Sequence, residues 1–244
     1  MIQSHPRIGF DRYVQLNWCK AALEVASGKQ SLEDLDCLVS EVLDGPESRR
    51  KTIDVLKRLW ISPFAGNKEF VARGIDIYRS IGESAVIPLC WGASISTYPF
   101  FGKTAEFSGR LFNLQDDCSI AEVQRRMAEV YGERDGISRA TARVLQSQAS
   151  WGSIERVEKG KRIIRQPPLV LIDEQIVAWL VEAVLRYTGK AVSLASLQSM
   201  PVIYPFVLAQ SLAFVVSNST TLELRSEGSS QLVALSDKNI PIEV

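Results

Sequence analysis

The stretch SIAEVQRRMAEVYGERDGISRATARVLQSQASWGSIERVEKGKRIIRQPP, residues 119–168, decides how this chain folds. Ser119 with Glu122 three residues on forms a capping box: the hydroxyl accepts from a free backbone N–H and the carboxylate reaches back. Ile120, Val123, Met127, Val130 and Tyr131 then recur at helical spacing along one apolar face. Gly132 to Gly136 is a tight polar turn. A further helix, from about Ser138 to Ser150, is predicted to be buried through Ile137, Val144, Leu145 and Trp151. Its outer face is expected to be Arg139, Thr141, Arg143, Gln146, Ser147 and Gln148, the side-chain types that read base edges and hold phosphates. Ser153 to Val157 and Arg162 to Gln166 are strand-like. They flank Glu158-Lys159-Gly160-Lys161, which has the glycine a hairpin turn needs. Pro167-Pro168 closes the unit. Just upstream, Lys103 to Gln115 supplies a first helix through Phe107, Leu111, Phe112 and Leu114, and Asp116-Asp117-Cys118 is a short connector.

Helix, helix, tight turn, helix and basic hairpin is the order of a winged helix-turn-helix. The chain as a whole has 28 basic and 28 acidic side chains, yet the stretch from Ile137 to Arg165 sets seven cations against only Glu155 and Glu158. That local asymmetry is what duplex DNA asks of a protein without net charge. The DNA-binding candidates are Arg139, Thr141, Arg143, Gln146 and Ser147 on the helix, and Arg156, Lys159, Lys161, Arg162 and Arg165 on the hairpin. Winged helices also serve as protein-docking scaffolds, because a fold does not fix a function. In that alternative, Trp91, Phe100 or the uncharged stretch near Tyr204 supplies an apolar contact patch.

Working outward, the first third reads as helices. Tyr13 to Ala26 is one, stopped by Ser27-Gly28. Ser31, with Asp34 three residues on, begins a second, which carries Leu32, Leu35, Leu38, Val39 and Val42 at helical spacing. Pro46 suits the first turn of a third, Glu47 to Trp60, whose outer face holds Arg49, Arg50, Lys51, Lys57 and Arg58. This basic helix is either a second helix-turn-helix element, with Arg49 and Arg50 on DNA, or an ordinary solvated face. Asn67 to Ile81 and Ser84 to Tyr98 follow as apolar helices. On the other side, Leu169 to Tyr187 reads as an amphipathic helix stopped by Thr188-Gly189. No charge falls between Lys190 and Glu223, and Pro201 to Val216 is too short and too interrupted to span a bilayer, so a buried core helix is expected there. Thr220 to Arg225 and Gln231 to Leu235 read as a terminal hairpin, a candidate dimerisation element. No convincing internal repeat emerges.

The expected architecture is mainly α. It has a helical N-terminal unit (1–82), a central winged helix-turn-helix with a β-hairpin wing (83–168), and a small α+β C-terminal lobe (169–244). Composition and rare residues argue against enzyme chemistry. His5 is the single histidine, set beside Pro6 where a solvated terminal residue is expected, so nucleophile–base pairs and histidine metal sites lack their parts. Cys19, Cys37, Cys90 and Cys118 are scattered without a Cys-x-x-Cys, and no phosphate-binding glycine motif occurs, so no cofactor is expected. With no signal peptide in the opening residues, a cytoplasmic protein with no membrane association is expected.

The helix from Ser31 to Leu43, then Pro46 to Trp60 with Arg49-Arg50-Lys51, and the unit around Ser119 to Ile154, together resemble the BrxA proteins of bacterial BREX phage-defence systems. The resemblance is one of order and pattern. It implies a small, mostly helical accessory without catalytic chemistry that binds double-stranded DNA beside other defence proteins.

Overall fold

The computed structural model describes residues 8–228 and 230–236. His5, and Ser229 of the terminal hairpin, lie outside the described residues. The fold is mainly helical. The first three helices are α1 (Leu16–Ala26), α2 (Leu32–Ser40) and α3 (Pro46–Leu56). The expected cap of α2 is reciprocal: the Asp34 N–H donates to Ser31 Oγ at 3.1 Å, and the Ser31 N–H donates to Asp34 Oδ2 at 2.9 Å. Pro46 occupies the first turn of α3, where its missing N–H costs nothing. A π-turn at Lys57–Ile61 continues α3 and carries Leu59 and Trp60 into the core. Then come α4 (Lys68–Ile81), α5 (Val86–Thr97) and α6 (Pro99–Phe112). The helix expected from Lys103 starts four residues earlier, because Pro99 is itself its first-turn proline.

Next are β1 (Asp117–Ser119), α7 (Ile120–Tyr131), α8 (Asp135–Ser150), β2 (Ile154–Val157) and β3 (Arg162–Arg165). The three strands are antiparallel in the order β1-β3-β2. The expected connector Asp116-Asp117-Cys118 is therefore corrected: most of it is strand, with buried Cys118 opposite buried Ile163. Three residues carry no legible alternation, and the partner strand lies some 45 positions away.

The chain continues through β4 (Leu169–Leu171), α9 (Glu174–Thr188), β5 (Val192–Ser193), α10 (Leu194–Leu197), β6 (Phe206–Leu208), α11 (Leu212–Asn218), β7 (Leu222–Glu227) and β8 (Ser230–Leu235). The helix expected from Leu169 begins only at Glu174. Leu169–Leu171 is held extended by parallel pairing with β6, and Asp173 Oδ1 caps α9 by accepting from the N–H groups of Gln175 and Ile176. The expected apolar side of α9, Ile176, Val177, Leu180, Val181, Val184 and Leu185, is buried, as are Trp179, Glu182 and Ala183, and the helix packs on α5. Trp179 of α9 stacks on Phe70 with ring centroids 4.1 Å apart. It fits only because α5 has Gly92, where a Cβ would stand 2.4 Å from the indole.

The uncharged stretch is buried in large part, but not as the single core helix expected. Pro201 and Pro205 break it, leaving α10, a 3-10 turn at Pro201–Ile203, β6 and α11. Among the described residues no helix is long and apolar enough to cross a membrane. The terminal hairpin forms as β7–β8 and gains β5 as a third strand, in the order β5-β8-β7. Although the sequence carries no convincing repeat, the element order echoes that of the central unit. The succession α9–β5–α10–α11–β7–β8 has the same element order and strand order as α6–β1–α7–α8–β2–β3, with β6 inserted.

Candidate nucleic-acid interface

The centre of the site is α8, fixed on several sides. Gln124 Nε2 of α7 donates to Ser138 O at 2.9 Å, and Trp151 Nε1 donates to Val14 O at 3.0 Å. The apolar side, Ile137, Val144, Leu145 and Trp151, is buried as expected. On the outer side Arg139 and Arg143 are exposed and Gln146 is half-buried. Arg143 Nη1 donates to Gln146 Oε1 at 3.0 Å.

Three residues assigned to that outer face are not on it. Thr141, Ser147 and Gln148 are all 0% exposed. The Thr141 hydroxyl donates to Ile137 O, Ser147 Oγ accepts from the Val14 N–H at 2.8 Å and donates to Arg143 O, and Gln148 Oε1 accepts from the Tyr204 hydroxyl. The cause is helical phase. Ile137, Thr141, Val144, Gln148 and Trp151 recur at three- and four-residue steps and share one stripe. That signal was present in the sequence, and small polar side chains masked it.

The hairpin turns through three consecutive left-handed residues, Glu158 (φ 51°), Lys159 (φ 55°) and Gly160 (φ 80°). The first two are unfavourable for residues with a Cβ, so the turn is held by its surroundings. At Gly160 a Cβ would lie 2.7 Å from Arg156 Nη2, so the glycine is what lets the Arg156 guanidinium lie across the turn. Lys159 and Lys161 are exposed. Among the described residues Arg139, Arg143, Arg156, Lys159 and Lys161 have no ion-pair partner. Arg134, exposed just before α8 and not among the sequence candidates, is likewise without one, although its Nη2 donates to Tyr131 O.

Arg162 and Arg165 are placed differently from the other candidates. Arg162 lies 2.6 Å from Asp117 of β1 and 3.8 Å from Glu158, and its hydrogen bonds to Asp117 hold the guanidinium even more firmly protonated than usual. Arg165 Nη2 donates to Tyr204 O at 2.7 Å. Both side chains tie the base of the hairpin to its neighbours. The N-terminal candidates are neutralised locally: Arg49 lies 3.5 Å from Asp36, and Arg50 is 3.0 Å from Glu47 and 3.1 Å from Asp54. Hydrogen bonds from Arg50 and Lys51 lower the Glu47 carboxyl to about 2.

Of the proposed apolar contacts, Trp91 and Phe100 are buried, as is Tyr204 itself, whereas the uncharged stretch around Tyr204 does expose Val207 and Phe214. Burial of the aromatic contacts follows from their packing: Trp91 meets Phe101, Trp151, Tyr204 and Phe206 edge-on. Further exposed apolar side chains include Val170 of β4 and Ile172 just after it, near Val207 and Phe214, and elsewhere Val42, Phe64 and Leu114. Among the described residues no group of three His, Cys, Asp or Glu side chains is placed to hold a metal ion. Cys19, Cys90 and Cys118 are buried thiols, and burial pushes the Cys118 thiol up to about 12. Compared with known families, with curated proteins and with solved structures, the chain has no match.

Proposed function

We propose that α6 to β3 is a winged helix-turn-helix that binds duplex DNA, and that the protein is a non-enzymatic, cytoplasmic DNA-binding protein. One observation carries this. In a chain of zero net charge, the five exposed cations Arg139, Arg143, Arg156, Lys159 and Lys161 fall on two consecutive elements, α8 and the β2–β3 hairpin, and among the described residues none of the five has a carboxylate partner. Cations left unpaired at a surface are free to displace counterions from phosphates, which is the main source of affinity for DNA. An antiparallel sheet in the order β1-β3-β2 beside α7 and α8 supports this reading, and the buried inner face of α8 backs the side that carries Arg139, Arg143 and Gln146. The resemblance to BrxA proteins extends the proposal to an accessory of a bacterial phage-defence complex. Fluorescence anisotropy on a labelled duplex at low and moderate salt tests it: binding that weakens steeply with salt is expected, and no binding at low salt rejects it.

A second reading is favoured by a specific feature of the C-terminal unit. Its helix α11 carries no charge and exposes Phe214, while β4–β6 exposes Val170, Ile172 and Val207. This surface suits protein docking, and such binding responds little to salt.

A further inference from the structure

We propose that Arg143 and Gln146 act as one reading unit that selects acceptor-rich base edges, guanine opposite Arg143 and guanine or thymine beside it, and disfavours adenine. The inference rests on the DNA-binding reading of α8 and concerns its specificity.

A guanidinium has only donors, so the 3.0 Å contact fixes which end of the Gln146 amide faces Arg143: it must be Oε1. The two N–H donors of Nε2 therefore point away from the guanidinium. Glutamine ordinarily reads adenine with both ends of its amide, accepting from N6–H₂ and donating to N7. Here an adenine amino group brought to the remaining lone pair of Oε1 would stand beside the cationic guanidinium, donor against donor. The same penalty falls on the cytosine amino group.

What the pair offers unopposed is donors, from Nε2 of Gln146 and from the Arg143 nitrogens not used in the contact, since the remaining lone pair of Oε1 is flanked by the guanidinium. Guanine presents N7 and O6, both acceptors, and thymine presents O4. The neighbours on the helix do not alter this pattern. Ala142 and Ala149 have no polar side-chain atoms, and the side chains of Thr141, Ser147 and Gln148 are buried. Ser150, four residues after Gln146, is exposed, and its Oγ already accepts from the Leu16 N–H at 3.4 Å. The nearest acidic side chain on the helix is Asp135, two turns before Arg143.

The test is selection by the full chain from a randomised duplex library, followed by anisotropy on duplexes differing only at the selected step. Guanine followed by guanine or thymine should be enriched, and a duplex with two adenines there should bind about tenfold more weakly, the scale of one good base contact. Gln146→Ala should keep guanine at one position and lose the preference at its neighbour, with an unchanged salt slope because no charge is removed. Gln146→Glu should turn that neighbour toward cytosine, whose amino group a carboxylate accepts. Adenine enriched at the step, or equal affinity for all steps, would overturn the inference while leaving DNA binding intact. Absence of binding to any duplex overturns both.

Discussion

On α3, Arg49, Arg50 and Lys51 stand in consecutive positions and each has a carboxylate within 3.5 Å, whereas on α8 Arg139 and Arg143 have none. By residue count α3 is the more basic helix. Glu47 lies three and four residues before Arg50 and Lys51, and Asp54 lies four after Arg50, so α3 answers its own cations along one face. Around Arg143 the positions three and four away are Arg139, Ala140, Gln146 and Ser147, with no acid among them. Arg49 is answered from outside the helix, by Asp36 of α2, while Asp135, four residues before Arg139, makes no ion pair with it, so i±3 and i±4 spacing and the fold together decide which cations are neutralised.

The comparison breaks most severely if α8 loses its support. Leu145→Ala removes a fully buried side chain from the inner face of α8 and should cost about 2–5 kcal/mol of stability, read from denaturant unfolding. An unchanged midpoint would mean that α8 is turned to a different phase. Arg143→Ala should cost about 1–3 kcal/mol at preferred duplexes and narrow the gap to random DNA, measured by anisotropy on both. Replacing Lys159 and Lys161 together should weaken all duplexes alike and flatten the slope of log K against log salt by roughly 2. Replacing Arg49 and Arg50 with alanine is the matched control: affinity and salt slope should stay at the wild-type values. A slope change there as large as for the hairpin lysines would erase the distinction between the two helices.

The smallest effect concerns a carboxylate answering cations inside the fold. Burial pushes the Glu106 carboxyl up, but hydrogen bonds from Lys103 at 2.7 Å and the Tyr187 hydroxyl at 2.6 Å outweigh it, and its pKa is lowered. A carboxylate depressed in the native state stabilises it above the unfolded value, roughly pH 4.3, and that contribution fades as pH falls through the native value. Melting temperature should therefore fall on the acid side less steeply in Glu106→Gln than in the wild type.

Much of this was legible along the chain. The Ser31 box, Pro46 at the start of α3, the inward set of α8 and the terminal hairpin all follow from local patterns that the structure keeps. The misassigned residues have a common physical origin. Thr141, Ser147 and Gln148 are polar yet lie on the buried side of α8, where a hydroxyl readily bonds the carbonyl four residues back, as Thr141 and Ser147 do. Arg162 and Arg165 looked like their exposed neighbours because Asp117 and Tyr204, their partners, lie 45 and 39 residues away.

By itself the sequence determined the helical class, the caps and breaks, and the concentration of cations between Arg139 and Arg165, because these depend on residues within a few positions of one another. Tertiary structure alone decided which of those cations stay unpaired. It also decided that Asp117–Ser119 is a strand, that α9 lies in the core against α5, and that the C-terminal unit repeats the strand order of the central one. Each of these depends on partners brought together across dozens of residues, where strand pairing and burial choose among side chains that look alike along the chain.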